Sequence, residues 1–164
     1  MSLPIIIYTD GAALGNPGPG GYGAVLMQAH HRKEISGGFR RTTNNRMELL
    51  AVIMALKQIK KTQMSILVYT DSKYVVDAID KKWVFSWKQK GWKKIKNVDL
   101  WQVFLPLYEL LKPDFHWVKG HSGITENECC DVLATTAAQN NPIDIDHNYE
   151  KYEAIKKKLG GLNL

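Results

Sequence analysis

Residues 5–11 read Ile5-Ile6-Ile7-Tyr8-Thr9-Asp10-Gly11, and residues 66–72 read Ile66-Leu67-Val68-Tyr69-Thr70-Asp71-Ser72. Each is a β-branched and aromatic run closed by Tyr-Thr-Asp and a turn residue, which is how a strand reads. After the first run comes a Gly/Pro loop, GAALGNPGPGG at 11–21, and then two more strand-like runs, 22–28 and about 33–41. Three strands so closely spaced leave no room for helical crossovers, so they pair antiparallel. Asn44 to Lys61 reads as a helix, apolar on every face from Met47 to Leu56 except at Glu48. Such a helix is buried, and it supplies the crossover that makes the second Tyr-Thr-Asp strand parallel to the first.

The remaining elements follow the same alternation. Ser72 caps a short helix. A further helix covers Leu100 to Leu111 and stops before Pro113. Residues 114–118 form the last strand, and Thr125 with Glu128 opens the last long helix as a capping box. The expected class is α/β: a five-stranded mixed sheet, layered with helices. Residues 1–141 form one domain, with 81–96 as a basic block. Residues 142–164 form a partly flexible tail with a helix-prone segment at 150–158.

The chain of 164 residues is 45% apolar and 23% charged, the size and balance of one water-facing domain. No apolar run approaches the ~18 residues of a membrane span, so no membrane partner is expected. Cys129 and Cys130 are adjacent and give no disulfide framework, which points to the cytoplasm. The net charge of +6 is concentrated. Residues 81–96 carry seven lysines and no acid, and the rest of the chain has 15 basic against 16 acidic side chains. A local basic block suggests a polyanion partner.

If the two Tyr-Thr-Asp strands are parallel neighbours, Asp10 and Asp71 lie about 4.8 Å apart at the carboxyl edge where open α/β sheets bind ligands. Either aspartate alone reads equally well as a turn residue. Their repetition, and Glu48 as the one charge in an apolar helix, argue for more. A buried carboxylate needs a partner, although Glu48 also fits a capping box with Asn45 as N-cap. Asp131 taken alone reads as a surface acid near a helix N-terminus. A cluster of oxygen ligands suits Mg2+ or Mn2+, and two such ions ~3.5–4 Å apart hydrolyse phosphodiesters. Zinc is not expected, because the adjacent cysteines lack ligand spacing. Gly18 to Gly23 fits GxGxxG but leads into a strand, which excludes a dinucleotide fold.

His121 sits in Lys119-Gly120-His121-Ser122-Gly123, a mobile setting that suits a proton shuttle. In the basic block, lysines suit phosphates, and indole faces suit sugars or bases. Trp83 is expected in the core with Trp101 and Trp117, and Trp87 at the surface.

Five segments carry a resemblance: YTDGAALGNPGPGGYGAVL (8–26), RTTNNRMELLAVIMAL (41–56), YTDSKYV (69–75), WKQKGWKKIKNVDLW (87–101) and WVKGHSGITENECCDVLA (117–134). Together they resemble the bacterial type-1 ribonuclease H family (ribonuclease HI). The resemblance implies a sheet of three antiparallel strands then two parallel, with helices on both faces. It implies hydrolysis of the RNA strand of an RNA–DNA hybrid, leaving 5′-phosphate and 3′-hydroxyl ends. The implied ligands of two Mg2+ ions, for which Mn2+ can substitute, are Asp10, Glu48, Asp71 and Asp131. In that scheme Asp10 bridges the ions, Asp131 helps hold the one that activates water, and Glu48 and Asp71 hold the other. The mobile histidine falls on His121. Readers of the ribose 2′-hydroxyl fall on Asn16, Asn44 and Asn45. A DNA-phosphate pocket falls on Thr43 and Asn97, with Arg46 near. Trp87 lies against the DNA sugar, and Lys88, Lys90, Lys93 and Lys94 lie along the protrusion. Lys73 stands where relatives often have Gln, which turns a groove contact into a phosphate contact. The chain is expected to act as a monomer. The rivals are a DNA-directed nuclease of the same fold, such as a junction resolvase or transposase-like enzyme, and a non-catalytic nucleic-acid binding module.

Overall fold

In the computed structural model, which describes residues 2–161, the two Tyr-Thr-Asp strands are parallel neighbours, with Tyr8 opposite Tyr69 and Thr9 opposite Thr70. They are β1 (Ile5–Ala13) and β4 (Ile66–Thr70). The strands β2 (Gly18–Gln28) and β3 (His31–Thr42) complete the antiparallel part, and β5 (Asp114–Trp117) adds a second parallel pair. The sheet order is β3-β2-β1-β4-β5, the mixed sheet that the sequence implies. The β2–β3 turn is tight: Gln28 pairs with His31, and Ala29 takes a left-handed φ of 53°.

The helices are α1 (Asn44–Lys57), α2 (Lys73–Asp80), α3 (Trp83–Gln89), α4 (Val98–Leu111), α5 (Thr125–Gln139) and α6 (His147–Gly160). Successive residues of a strand face opposite sides, and β2 shows what covers each. A Cβ on Gly20 would meet Met47 of α1, while one on Gly21 would meet Ala134 and Ala137 of α5. Helices therefore cover both faces. The main core lies between α1, α4 and the sheet, where Ile7, Leu49, Ile53, Val68, Trp101 and Phe104 are all buried. Each such side chain contributes about 1.5–3 kcal/mol on leaving water.

Two caps differ from the sequence reading. The N-cap of α1 is Thr43, whose hydroxyl accepts from the Arg46 N–H, so Asn45 and Glu48 both lie inside the helix. At α5 the N-cap is Ile124 and no side chain caps it. Glu128 instead accepts from the Gly123 N–H at 3.2 Å, two residues before the Thr125 N–H that the box would use.

Residues 142–161 carry α6, which contains the helix-prone stretch at 150–158 and is tied down by acids meeting arginines. Arg40 binds Glu150 through two bonds of 3.0 and 2.9 Å, and Arg41 binds Glu153 through two of 2.7 and 2.9 Å. Asp146, the N-cap of α6, accepts from Thr42 Oγ1 and takes two bonds from the buried Arg46. Asp99 takes two more and Asn97 one. All five N–H donors of the guanidinium are thereby occupied.

Asp99 carries a testable part of that network. Burial alone raises its carboxyl, but the Arg46 guanidinium, with help from Asn148, outweighs burial and holds it below the usual range. A depressed carboxyl stabilises the fold above its unfolded value of about 4 and loses that contribution as pH falls through the lower folded value. Asp99→Asn is expected to cost about 1 kcal/mol at neutral pH. It should also flatten the fall in stability between about pH 5 and pH 2. Denaturant titrations across that range check it; an unchanged acid limb would contradict it.

Candidate active site

The parallel register does most of the assembly. Because Thr9 and Thr70 are opposite, Asp10 and Asp71 are the next residues on adjacent chains. Gly11 then lets α1 approach: a Cβ there would lie 2.3 Å from the backbone of Met47 and Glu48. This close crossing brings Glu48 to the same point. One carboxylate oxygen from each of Asp10, Glu48 and Asp71 lies within 4.8 Å of the others.

Such crowding has electrostatic consequences. Burial, reinforced by the Asp71 charge, pushes Asp10 up to about 7, although the Gly11 N–H at 2.8 Å favours its anion. Burial and the Asp10 charge raise Glu48 well above the ordinary carboxylate range. Glu48 Oε2 is buried with no hydrogen-bond partner. An orphaned carboxylate oxygen beside two like charges is costly. A divalent cation removes that cost by supplying positive charge to oxygen ligands, so the residues present fit a bound metal.

Asp131, on α5, lies outside that close trio but lines the same cleft, with Asn44, Asn45, Lys73 and His121. His121 is exposed and left-handed, with φ 54°. Thus the cleft gathers the four expected carboxylates, the histidine, two asparagines and Lys73. The asparagines also brace one another. Asn16 Oδ1 accepts from the Asn44 N–H at 3.0 Å, and Asn44 Oδ1 accepts from the Ala13 N–H at 2.5 Å. Both amide NH2 groups remain as donors.

Other expected contacts are placed differently. The Thr43 hydroxyl is occupied as a helix cap. Arg46 is 4% exposed with every donor taken, so it braces Asn97 and has none left for a phosphate. Asn97 adopts φ 61°, and its Nδ2 donates to Tyr74 Oη, which also accepts from Trp101 Nε1. The protrusion is α3 followed by turns in which Gly91, Trp92 and Lys94 all have positive φ. Lys88, Lys90, Lys93 and Lys94 point to solvent, while Trp87 is half-buried, its ring edge-on to Trp101 at 5.8 Å. Trp83, expected in the core, is exposed, and so is Trp117. Spacing alone did not say which side of the short helix faces inward.

Two site residues went unnoticed in the sequence. Asn127 is buried in α5, and its Nδ2 donates to Asp71 Oδ2 at 3.4 Å. Its signal was a polar residue on the stripe that buries Cys130, Ala134 and Ala138. Gly120 is the other: a Cβ there would stand 2.7 Å from Asp71 Oδ2, so only glycine lets that loop close on the carboxylate.

Comparison with known proteins agrees with this geometry. The RNase H family model matches residues 3–139. Ribonuclease H of Rippkaea orientalis is 52% identical over 151 residues, 89% of this chain and 92% of that protein. Ribonuclease HI of Synechocystis sp. is 47% identical over 154 residues, 90% of this chain and 96% of its own. Among solved structures, LC9-RNase H1, a type 1 RNase H with the type 2 active-site motif, matches with a TM-score of 0.76 at 34% identity, over 94% of this chain and 82% of that one. LC11-RNase H1, solved in complex with an RNA/DNA hybrid, matches with a TM-score of 0.62 at 29% identity, over 82% of this chain and 96% of that one. A family model that spans the sheet, the cleft and α5, and relatives about half identical over nearly their whole length, mean that this chain belongs to the RNase H family, the endoribonucleases that hydrolyse the RNA strand of an RNA–DNA hybrid.

Proposed function

We propose that the chain carries out this hydrolysis with two Mg2+ ions, replaceable by Mn2+, held by Asp10, Glu48, Asp71 and Asp131, and that it works as a cytoplasmic monomer. The observation that carries the reading is the buried, unpartnered Glu48 Oε2 beside Asp10 and Asp71. When bound, such ions lower the pKa of water and stabilise the leaving oxygen of a phosphodiester. The protein's own part is recognition and alignment. Asn16, Asn44 and Asn45 offer amide donors beside the carboxylates, suited to the 2′-hydroxyl that marks the RNA strand. Thr43 and Asn97 are suited to a phosphate of the DNA strand, and Lys73, which lines the cleft, to another phosphate. Trp87 offers its exposed side to a DNA sugar. Lys88, Lys90, Lys93 and Lys94 supply phosphate contacts. Arg46 leaves this set and becomes a structural brace.

A labelled hybrid, an RNA duplex and a DNA duplex, each with Mg2+ and with chelator, test the reading. Only the hybrid with Mg2+ should be cut; cleavage in chelator would overturn the metal role, and cleavage of the DNA duplex would overturn the ribose-reading role.

The lysines carry a separate expectation. Replacing Lys88, Lys90, Lys93 and Lys94 by Ala should weaken hybrid binding and flatten its dependence on salt. Each lost contact should remove about 0.9 from the log–log slope. Cleavage at saturating hybrid should change far less, because the carboxylates are untouched. Binding measured across a salt series checks this, and an unchanged slope would make the block a merely solvated surface.

A further inference from the structure

Lys73 lines the cleft of Asp10, Glu48, Asp71 and Asp131, yet it is not among the ion-paired lysines. Among the described residues those are Lys81 with Asp77 and Lys88 with Glu109. The Lys73 ammonium stands instead over the ring of Trp117, 4.9 Å from its centroid. Trp117 ends β5, and its indole Nε1–H donates to the main-chain oxygen of Asp71 at 3.0 Å. The ring is therefore tied to the chain that presents a carboxylate, with one face turned to the lysine. The ring is 45% exposed, and it meets the cleft through Lys73, which lines it.

A lysine beside several carboxylates is strongly drawn towards them, and its flexible four-carbon stem offers little resistance. Inside the cleft it would act as a built-in counter-ion and occupy the ground of a divalent cation. An indole face is the best aromatic seat for an ammonium, and here it lies outside the carboxylate cluster.

We infer that Trp117 is a positioning residue: it holds the Lys73 ammonium on the rim, off the carboxylates, so that they stay open to divalent cations and the lysine faces a backbone phosphate of the hybrid. This rests on the carboxylates being metal ligands. The stacked arrangement also explains why an exposed tryptophan sits at a strand end that needs no apolar cover.

Calorimetric titration of Mn2+ into the full chain, without nucleic acid, tests the inference. Trp117→Leu should weaken Mn2+ binding roughly two- to fivefold, the scale of one exposed cation–π contact. KM for the hybrid should rise, while kcat at saturating Mg2+ and hybrid stays near wild type. Trp117→Phe keeps a π face and should bind Mn2+ nearly as the wild type does. In a Lys73→Gln background, Trp117→Leu should produce no further loss of Mn2+ affinity. Unchanged Mn2+ affinity in Trp117→Leu, or a loss that persists in the Lys73→Gln background, would overturn the inference. Absence of Mn2+ binding by the wild-type chain would overturn the ligand reading itself, and this inference with it.

Discussion

Asp10→Asn is expected to reduce cleavage of the hybrid by at least ~10³-fold, about 4 kcal/mol of barrier, while leaving hybrid binding nearly intact. Asp10 is the point at which the two parallel strands and α1 converge. It is next to Asp71 in register and shares the close oxygen cluster with Glu48. An amide of the same shape keeps the packing but loses the charge and one acceptor. In the proposed reading, affinity for the hybrid comes mostly from lysines that lie elsewhere, on α3 and its following turns. Folding should not suffer either. Removing one of three crowded charges relieves repulsion, so the variant should melt no lower than the wild type in chelator. Single-turnover cleavage and anisotropy binding on the same hybrid read the two effects apart. Activity within about tenfold of wild type, only ~1.4 kcal/mol, would show that Asp10 is not the shared ligand.

How much of this was legible in the sequence depended on the kind of information each residue carries. The repeated Tyr-Thr-Asp worked because parallel register is a one-dimensional property: strands paired from Ile5 opposite Ile66 bring their Tyr-Thr-Asp ends together. The rings report the same register, with Tyr8 stacked on Tyr69 at 4.9 Å and Tyr69 on His116 at 5.2 Å. Glu48 was visible because a single charge in an apolar helix is an anomaly of pattern.

Arg46 was not legible in this way. Its partners Asp99 and Asp146 are 53 and 100 residues away, and nothing local distinguishes a buried arginine with five accepted donors from a surface one. The same distance hid what holds α6, whose helix-prone stretch at 150–158 was legible. Residues 142–164 have little apolar patterning, and the helix is held by Arg40, Arg41 and Arg46 reaching its carboxylates, not by a hydrophobic stripe. The tryptophans failed for a third reason. Trp83 and Trp87 lie four apart and share a face of a seven-residue helix, so spacing cannot say which of the two reaches the core. The packing of Trp87 on Trp101 settles the choice.

His121→Ala is expected to lower kcat by on the order of 10²-fold, the lower end of general acid–base effects, with KM hardly moved. The residue lies ten positions before Asp131, in a loop that lines the carboxylate cleft without packing into it. Its backbone is left-handed at φ 54°, and Gly123 follows at φ 85°, so two turns outside the usual basin carry the imidazole along the cleft wall. Gly120, immediately before it, is pressed against Asp71. The loop is thus close-packed at Gly120 and exposed at His121. Imidazole is the side chain that both takes and gives a proton near neutral pH. At this place it can accept the proton of the attacking water or help the 5′-phosphate product leave. KM should be insulated, because the lysines and asparagines proposed to hold the hybrid are on other elements. Steady-state kcat and KM with Mg2+ across about pH 6–9 distinguish the shuttle from a plain surface histidine, since loss of a proton carrier also flattens a pH profile. A kcat within about twofold of wild type at every pH, under 0.5 kcal/mol, would leave His121 without a role in the reaction.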